Sequence, residues 1–124
     1  MVKRAVLKWS HVIKPPGKLW RCYISNISTG GDVAIALSEE GFGELTLFNS
    51  DGKIAWSKHY GDAIFDPQLS DDGNTIAVQV GSDTLAAYNR WGKSLWTYYV
   101  EKKAGKSEIK DYKLSRDGKY VVIA

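Results

Sequence analysis

Apolar and polar positions along the chain fall into short runs with no helical period. Stretches such as Val33 to Leu37 and Thr75 to Val80 are almost continuously apolar, the pattern of a strand covered on both faces. Leu45 to Phe48 and Leu85 to Tyr88 are apolar runs ending in Asn-x-x-Gly, which reads as a hairpin turn. Ile64 to Leu69 leads into Ser-x-x-Gly, which suits a tight turn needing a residue tolerant of positive φ. Each unit therefore reads as four short strands, a to d, with a tryptophan on strand d. The expected class is all-β.

These elements recur. Ile27-Ser28-Thr29-Gly30-Gly31-Asp32-Val33-Ala34, Leu69-Ser70-Asp71-Asp72-Gly73-Asn74-Thr75-Ile76-Ala77 and Leu114-Ser115-Arg116-Asp117-Gly118-Lys119-Tyr120-Val121-Val122 align, with their serines 42 and then 45 residues apart. A second motif alternates with the first: Leu45 to Trp56 matches Leu85 to Trp96 without a gap, 40 residues later. Leu7-Lys8-Trp9-Ser10 repeats the end of that motif, and Trp9 precedes Ser28 by 19 residues, as Trp96 precedes Ser115.

A four-stranded unit recurring at about 40 residues is the signature of a β-propeller blade. Pro67 falls within a strand a, and an inner edge strand tolerates proline where a central strand does not. The expected organisation is a strand d over 5–13, a blade over 20–60, a blade over 63–100 and a partial blade over 107–124. Fewer than three blades cannot close a ring of the usual size, roughly 4 to 8 blades. The expectation is an incomplete ring whose open edge, Lys119 to Ala124, leads the chain to self-associate or to join the remainder of a larger propeller.

The strings Asn49-Ser50-Asp51-Gly52-Lys53-Ile54-Ala55-Trp56 and Asn89-Arg90-Trp91-Gly92-Lys93-Ser94-Leu95-Trp96 resemble the tryptophan-bearing repeat of pyrroloquinoline-quinone-type propellers. The Leu-Ser-x-Asp-Gly strings look like the corresponding turn of WD-repeat propellers, although the chain has no Trp-Asp dipeptide and no Gly-His pair. The resemblance spans nearly the whole chain and implies a quinoprotein-like architecture. It implies little about activity, since such repeats serve both dehydrogenases and scaffolds. It also implies that Trp9, Trp56 and Trp96 pack between neighbouring blades.

Composition adds limits. The 124 residues are 44% apolar and 25% charged, ordinary for a folded domain, and the net charge of +3 is too mild to make nucleic acid the default partner. No run reaches the roughly 18 uncharged apolar residues of a membrane span, and the N-terminal stretch reads as no signal peptide, so a cytoplasmic location is expected. Cys22 is the single cysteine and aligns with Ile64 and Ile109, which predicts a buried, inert thiol.

Candidate chemistry is sparse. His11 and His59 fall on equivalent d strands with no further ligand at metal spacing. Asp51, Asp72 and Asp117 occupy turn positions that favour aspartate for local hydrogen bonds. No nucleophile–base pair or phosphate-cradling glycine loop is recognisable, and neither a cofactor nor a catalytic residue is expected. Trp91 breaks the pattern by standing where the sister repeat has Asp51. Beside Arg90, it either caps a neighbouring element or contacts a partner. The loops from strand d to the next strand a carry Lys14 and Lys18, and Lys102, Lys103 and Lys106, a modest anion-attracting surface or a solvated one. The function expected is a non-catalytic scaffold or binding module. The competing reading, a subunit of a quinone-dependent oxidoreductase, requires a full ring, a bound calcium and a polar cofactor cluster.

Overall fold

The computed structural model describes residues 7–12, 20–100 and 108–124. They form two four-stranded antiparallel meanders and a final two-stranded pair. The first sheet is β1 (Arg21–Ile24), β2 (Val33–Glu39), β3 (Phe42–Phe48) and β4 (Ile54–Tyr60), in that spatial order. The second is β5 (Ile64–Leu69), β6 (Thr75–Val80), β7 (Thr84–Asn89) and β8 (Ser94–Tyr99), followed by β9 (Tyr112–Leu114) paired with β10 (Val121–Ile123). The all-β expectation holds.

Residues 7–12 depart from the predicted strand d over 5–13. Among the described residues they carry no strand, although Trp9 lies against the first sheet. A strand d needs a strand c of its own unit to bond with, as β4 has β3, and among the described residues none lies beside this segment.

Strand alternation sends side chains to opposite faces, and the central strands are buried on both. Ala34, Ala36, Leu45 and Leu47 of the first sheet share one core with Ile64, Ile76, Val78, Ala86 and Tyr88 of the second. The other face of the second sheet supplies Ala77, Leu85 and Ala87 to a second core with Ile109 and Tyr112, against which Val121 and Ile123 also pack. A third cluster, Val33, Ile35 and Phe48, lies on the far face of the first sheet beneath Trp9. The units thus stack face to face in chain order, the second turning one face to the first and the other to the third.

The recurring turns are held by their own side chains. Asn49 Oδ1 accepts from the N–H groups of Asp51 and Lys53 at 3.0 and 3.1 Å, and Asn89 Oδ1 does the same for Trp91 and Lys93 at 2.9 and 3.0 Å. In the other motif Ser70 Oγ accepts from Thr75 N–H and Ser115 Oγ from Tyr120 N–H, at 3.0 and 2.9 Å. Ser28 Oγ accepts from Asp32 N–H at 2.9 Å, so this first turn is one residue shorter and Asp32 takes the place of Thr75 and Tyr120. Pro67 lies on β5, which pairs only with β6, at a register shift between Phe65 and Gln68. The bulge and the free edge explain why proline is accommodated there.

Candidate interaction surface

The same set of contacts joins the first unit to the second and the second to the third. Asn26, two residues before the turn serine Ser28, clamps the next inner strand with its amide. Its Nδ2 donates to Leu69 O at 2.8 Å while its Oδ1 accepts from Leu69 N–H at 3.0 Å. Gln68, two residues before Ser70, repeats the arrangement: Nε2 donates to Tyr112 O at 2.9 Å and Oε1 accepts from Leu114 N–H at 2.7 Å. The turn tips are linked as well. Thr29 N–H donates to Asp71 O at 2.7 Å, and Asp71 N–H donates to Arg116 O at 2.7 Å. Asp32 and its counterpart Thr75 press on the turn glycine of the following unit: a Cβ on Gly73 would lie 2.5 Å from Asp32 Oδ2, and one on Gly118 2.8 Å from Thr75 Oγ1.

A tryptophan seals the outer end of the first junction. Trp56 lies over Gly92, where a Cβ would come within 3.2 Å of the indole, and its Nε1–H donates to Arg90 O at 2.9 Å. Trp9 lies in the same way over Gly52, 2.9 Å from the corresponding Cβ position. Both glycines have positive φ, 78° and 85°, so the turn needs glycine for its backbone as well as for the ring's approach. Two residues beyond each tryptophan the pairing continues: His11 sits against Phe48 at 5.0 Å between ring centroids, and Lys58 Nζ lies 4.9 Å from the Tyr88 ring. Trp96 is half-buried against the second core. Arg90 reaches back across the junction to Asp32, Nη2 to Oδ2 3.3 Å, and to Asn74 Oδ1 at 3.4 Å.

Burial fixes two tyrosines as neutral hydrogen-bonding groups. Tyr60 and Tyr88 join hydroxyl to hydroxyl across the first junction. Burial, then that bond, pushes the Tyr60 phenol far above its usual range. Tyr112 donates to Asp66 O across the second junction; burial first, then the charges of Asp66 and Asp111, raises it in the same direction.

Two faces lack a neighbouring sheet among the described residues. On the first unit, Ile27 is 71% exposed although its counterpart Leu69 is 3% exposed. Leu37, Phe42 and Phe48 there line a groove of about 230 Å³. Trp20 borders the same groove, and its indole N–H is buried without an acceptor. On the third unit, Val122 is 69% exposed where its counterpart Ala77 is fully buried.

Cys22 lies on the first of these faces and corrects the buried-thiol prediction: it is exposed. Ile64 and Ile109, at the same position, are covered by the preceding unit, and Cys22 has none opposite it among the described residues. Its remaining burial raises the thiol's pKa.

Trp91 is 79% exposed on the clamped Asn89 turn, and no neighbouring element covers it among the described residues. Arg90, paired beside it, makes its contacts within the chain. Lys14, Lys18, Lys102, Lys103 and Lys106 lie outside the described residues. His59 Nε2 pairs with Glu44 Oε2 at 3.0 Å, and His11 lies against Phe48. Among the described residues no three His, Cys, Asp or Glu side chains gather as metal ligands would. Asp72 and Asp117 accept from their turn serines at 2.6 and 2.7 Å, which holds both carboxyls below the usual range. At Asp51 the turn is held by Asn49 instead.

The amide clamps and the linked turn tips were not anticipated from sequence. Asn26 and Gln68 share a register position, and that coincidence was the available signal. No known protein family matches the chain, and no curated protein matches it. Among the described residues no helix is long and apolar enough to cross a membrane.

Proposed function

We propose that the stacked units are blades of a quinoprotein-like, WD-repeat-like β-propeller, and that the chain serves as a non-catalytic scaffold or binding module within it. The observation that carries this reading is the twofold use of one junction, with Asn26 and Gln68, Thr29 and Asp71, Asp32 and Thr75 in the same places. A contact repeated between successive units relates each to the next by a nearly constant rotation, and such a rotation closes into a ring of about 4 to 8 blades or continues as a solenoid. The inner edges of β1 and β5, which pair with no further strand among the described residues, and the proline on β5 favour the ring, whose inner strands line a channel.

A rigid stack that presents Trp91 on a clamped turn suits binding, because a preorganised aromatic costs little entropy to bury against a partner. The lone thiol is compatible with the reducing cytoplasm, where we place the protein. Electron microscopy of the assembly isolated with this chain tests the architecture: ring-shaped particles with a central channel are expected, and particles showing only an extended stack would overturn it. An absorbance band of a bound quinone in the same preparation would favour the oxidoreductase instead.

A further inference from the structure

We infer that the open face of the first unit takes a further unit of this repeat carrying Asn or Gln two residues before its turn serine, and that a second copy of this chain is not that partner. The inference rests on the reading of the units as successive blades. It adds what the missing neighbour must look like.

Each established junction needs an amide at that position because two jobs fall to one side chain. The amide oxygen accepts the N–H of Leu69 or Leu114, and the amide nitrogen donates to a carbonyl of the same inner strand. Ile27 is the counterpart of Leu69 and Leu114, and among the described residues its N–H finds no acceptor. A unit covering Ile27 must therefore bring an acceptor for that N–H, or bury it unpaired at a penalty.

The third unit of a second copy comes close. Its Arg116 N–H is placed to donate to the Thr29 carbonyl, as Thr29 N–H donates to Asp71 and Asp71 N–H to Arg116. Val122 would meet the first sheet as Ala34 and Ala77 meet their successors. The clamp position, however, holds Lys113. An ammonium has three donors and no acceptor, so it can satisfy a carbonyl and never the Ile27 N–H, and it would bring its charge against that positive end of the peptide dipole. One residue thus sets a copy-to-copy contact apart from the two junctions within the chain.

Sedimentation across a dilution series, with wild type, Lys113→Gln and the double variant Lys113→Gln/Ile27→Asp, tests this directly. Both positions are exposed, so the fold is expected to survive. Lys113→Gln should self-associate at least about tenfold more tightly than wild type, the scale of rescuing one buried N–H, and Ile27→Asp should cancel the gain. Wild-type self-association as tight as that of Lys113→Gln overturns the inference. So does a Lys113→Gln chain that stays monomeric throughout, or a gain that persists with Ile27→Asp. Failure here with ring-shaped particles in the microscope would remove the amide requirement alone, whereas a Lys113→Gln gain without rings would remove only the ring.

Discussion

The indole N–H of Trp56 donates to the backbone carbonyl of Arg90 at 2.9 Å, joining residues 34 apart in sequence and in different sheets. The ring that makes this bond also covers Gly92, and the guanidinium of Arg90 returns across the same junction to Asp32. A tryptophan on strand d and a glycine in the next c–d turn are therefore two halves of one contact. Their common recurrence in the sequence follows from that.

Trp56→Ala removes the ring and its hydrogen bond together and should lower unfolding stability by about 3 kcal/mol, the low end for a large aromatic because Trp56 is only half-buried. Trp56→Phe keeps most of the packing and should cost about 1 kcal/mol, the worth of the bond. Trp96→Ala should cost less than Trp56→Ala, since no c–d turn lies opposite Trp96 among the described residues. Urea unfolding of the three variants measures this; a Trp56→Ala midpoint indistinguishable from wild type would show that the junction is not held there.

Gly92→Ala should destabilise by about 1–3 kcal/mol. The backbone at φ 85° strains an L-residue, and the new methyl would meet the Trp56 ring at 3.2 Å. Gly61→Ala, with nothing within 4 Å of its Cβ position and no positive φ, should stay within about 0.5 kcal/mol of wild type. Comparing the two melts separates the turn's requirement from a general intolerance of alanine.

How much of this was legible in the sequence depends on the kind of contact. Strand positions and turns were readable because the continuous apolar run of Val33 to Leu37 and the glycines at 52, 73, 92 and 118 answer local demands of burial and backbone geometry. The burial of Cys22 was misjudged because alignment with Ile64 reports the shape of a position within its sheet, while exposure depends on whether another sheet lies opposite. The link from Asp32 to Arg90 was invisible for a similar reason. It joins two different turns, and a one-residue-shorter first turn puts an aspartate where the sister units have Thr75 and Tyr120.

Cys22 should react with a maleimide in the native protein, without any unfolding. Because burial raises its pKa, the rate should still be climbing at and above the ordinary thiol value of about 8.5. Covering the first unit's open face should slow the reaction, so labelling also reports occupancy. A thiol that stays inert until denaturant is added would mean that this face is already closed in solution.

Acid should weaken the turn after β5. Hydrogen bonds from Ser70 and then from the Asn74 backbone favour ionised Asp72, so its folded pKa lies below the unfolded value of about 3.9. A depressed carboxylate contributes stability that is present above the unfolded pKa and is lost as pH falls through the folded one. Asp72→Asn should therefore melt below wild type at pH 6, and the gap should narrow below about pH 4. A gap that is the same at pH 6 and pH 2.5 would show that the charge contributes nothing.

Asp71 both receives a hydrogen bond from Thr29 and gives one to Arg116, so the turn tips of three units are tied through one residue. The bonded carbonyl and N–H belong to the two peptide groups flanking the Asp71 Cα, which fixes that residue's position from both sides. An open row of such tips ends, among the described residues, with the Thr29 carbonyl at one end and the Arg116 N–H at the other. Bent into a circle, the same row has no ends. The unit that closes it makes two junctions where every earlier arrival made one, so the last unit to arrive would bind more tightly than any before it.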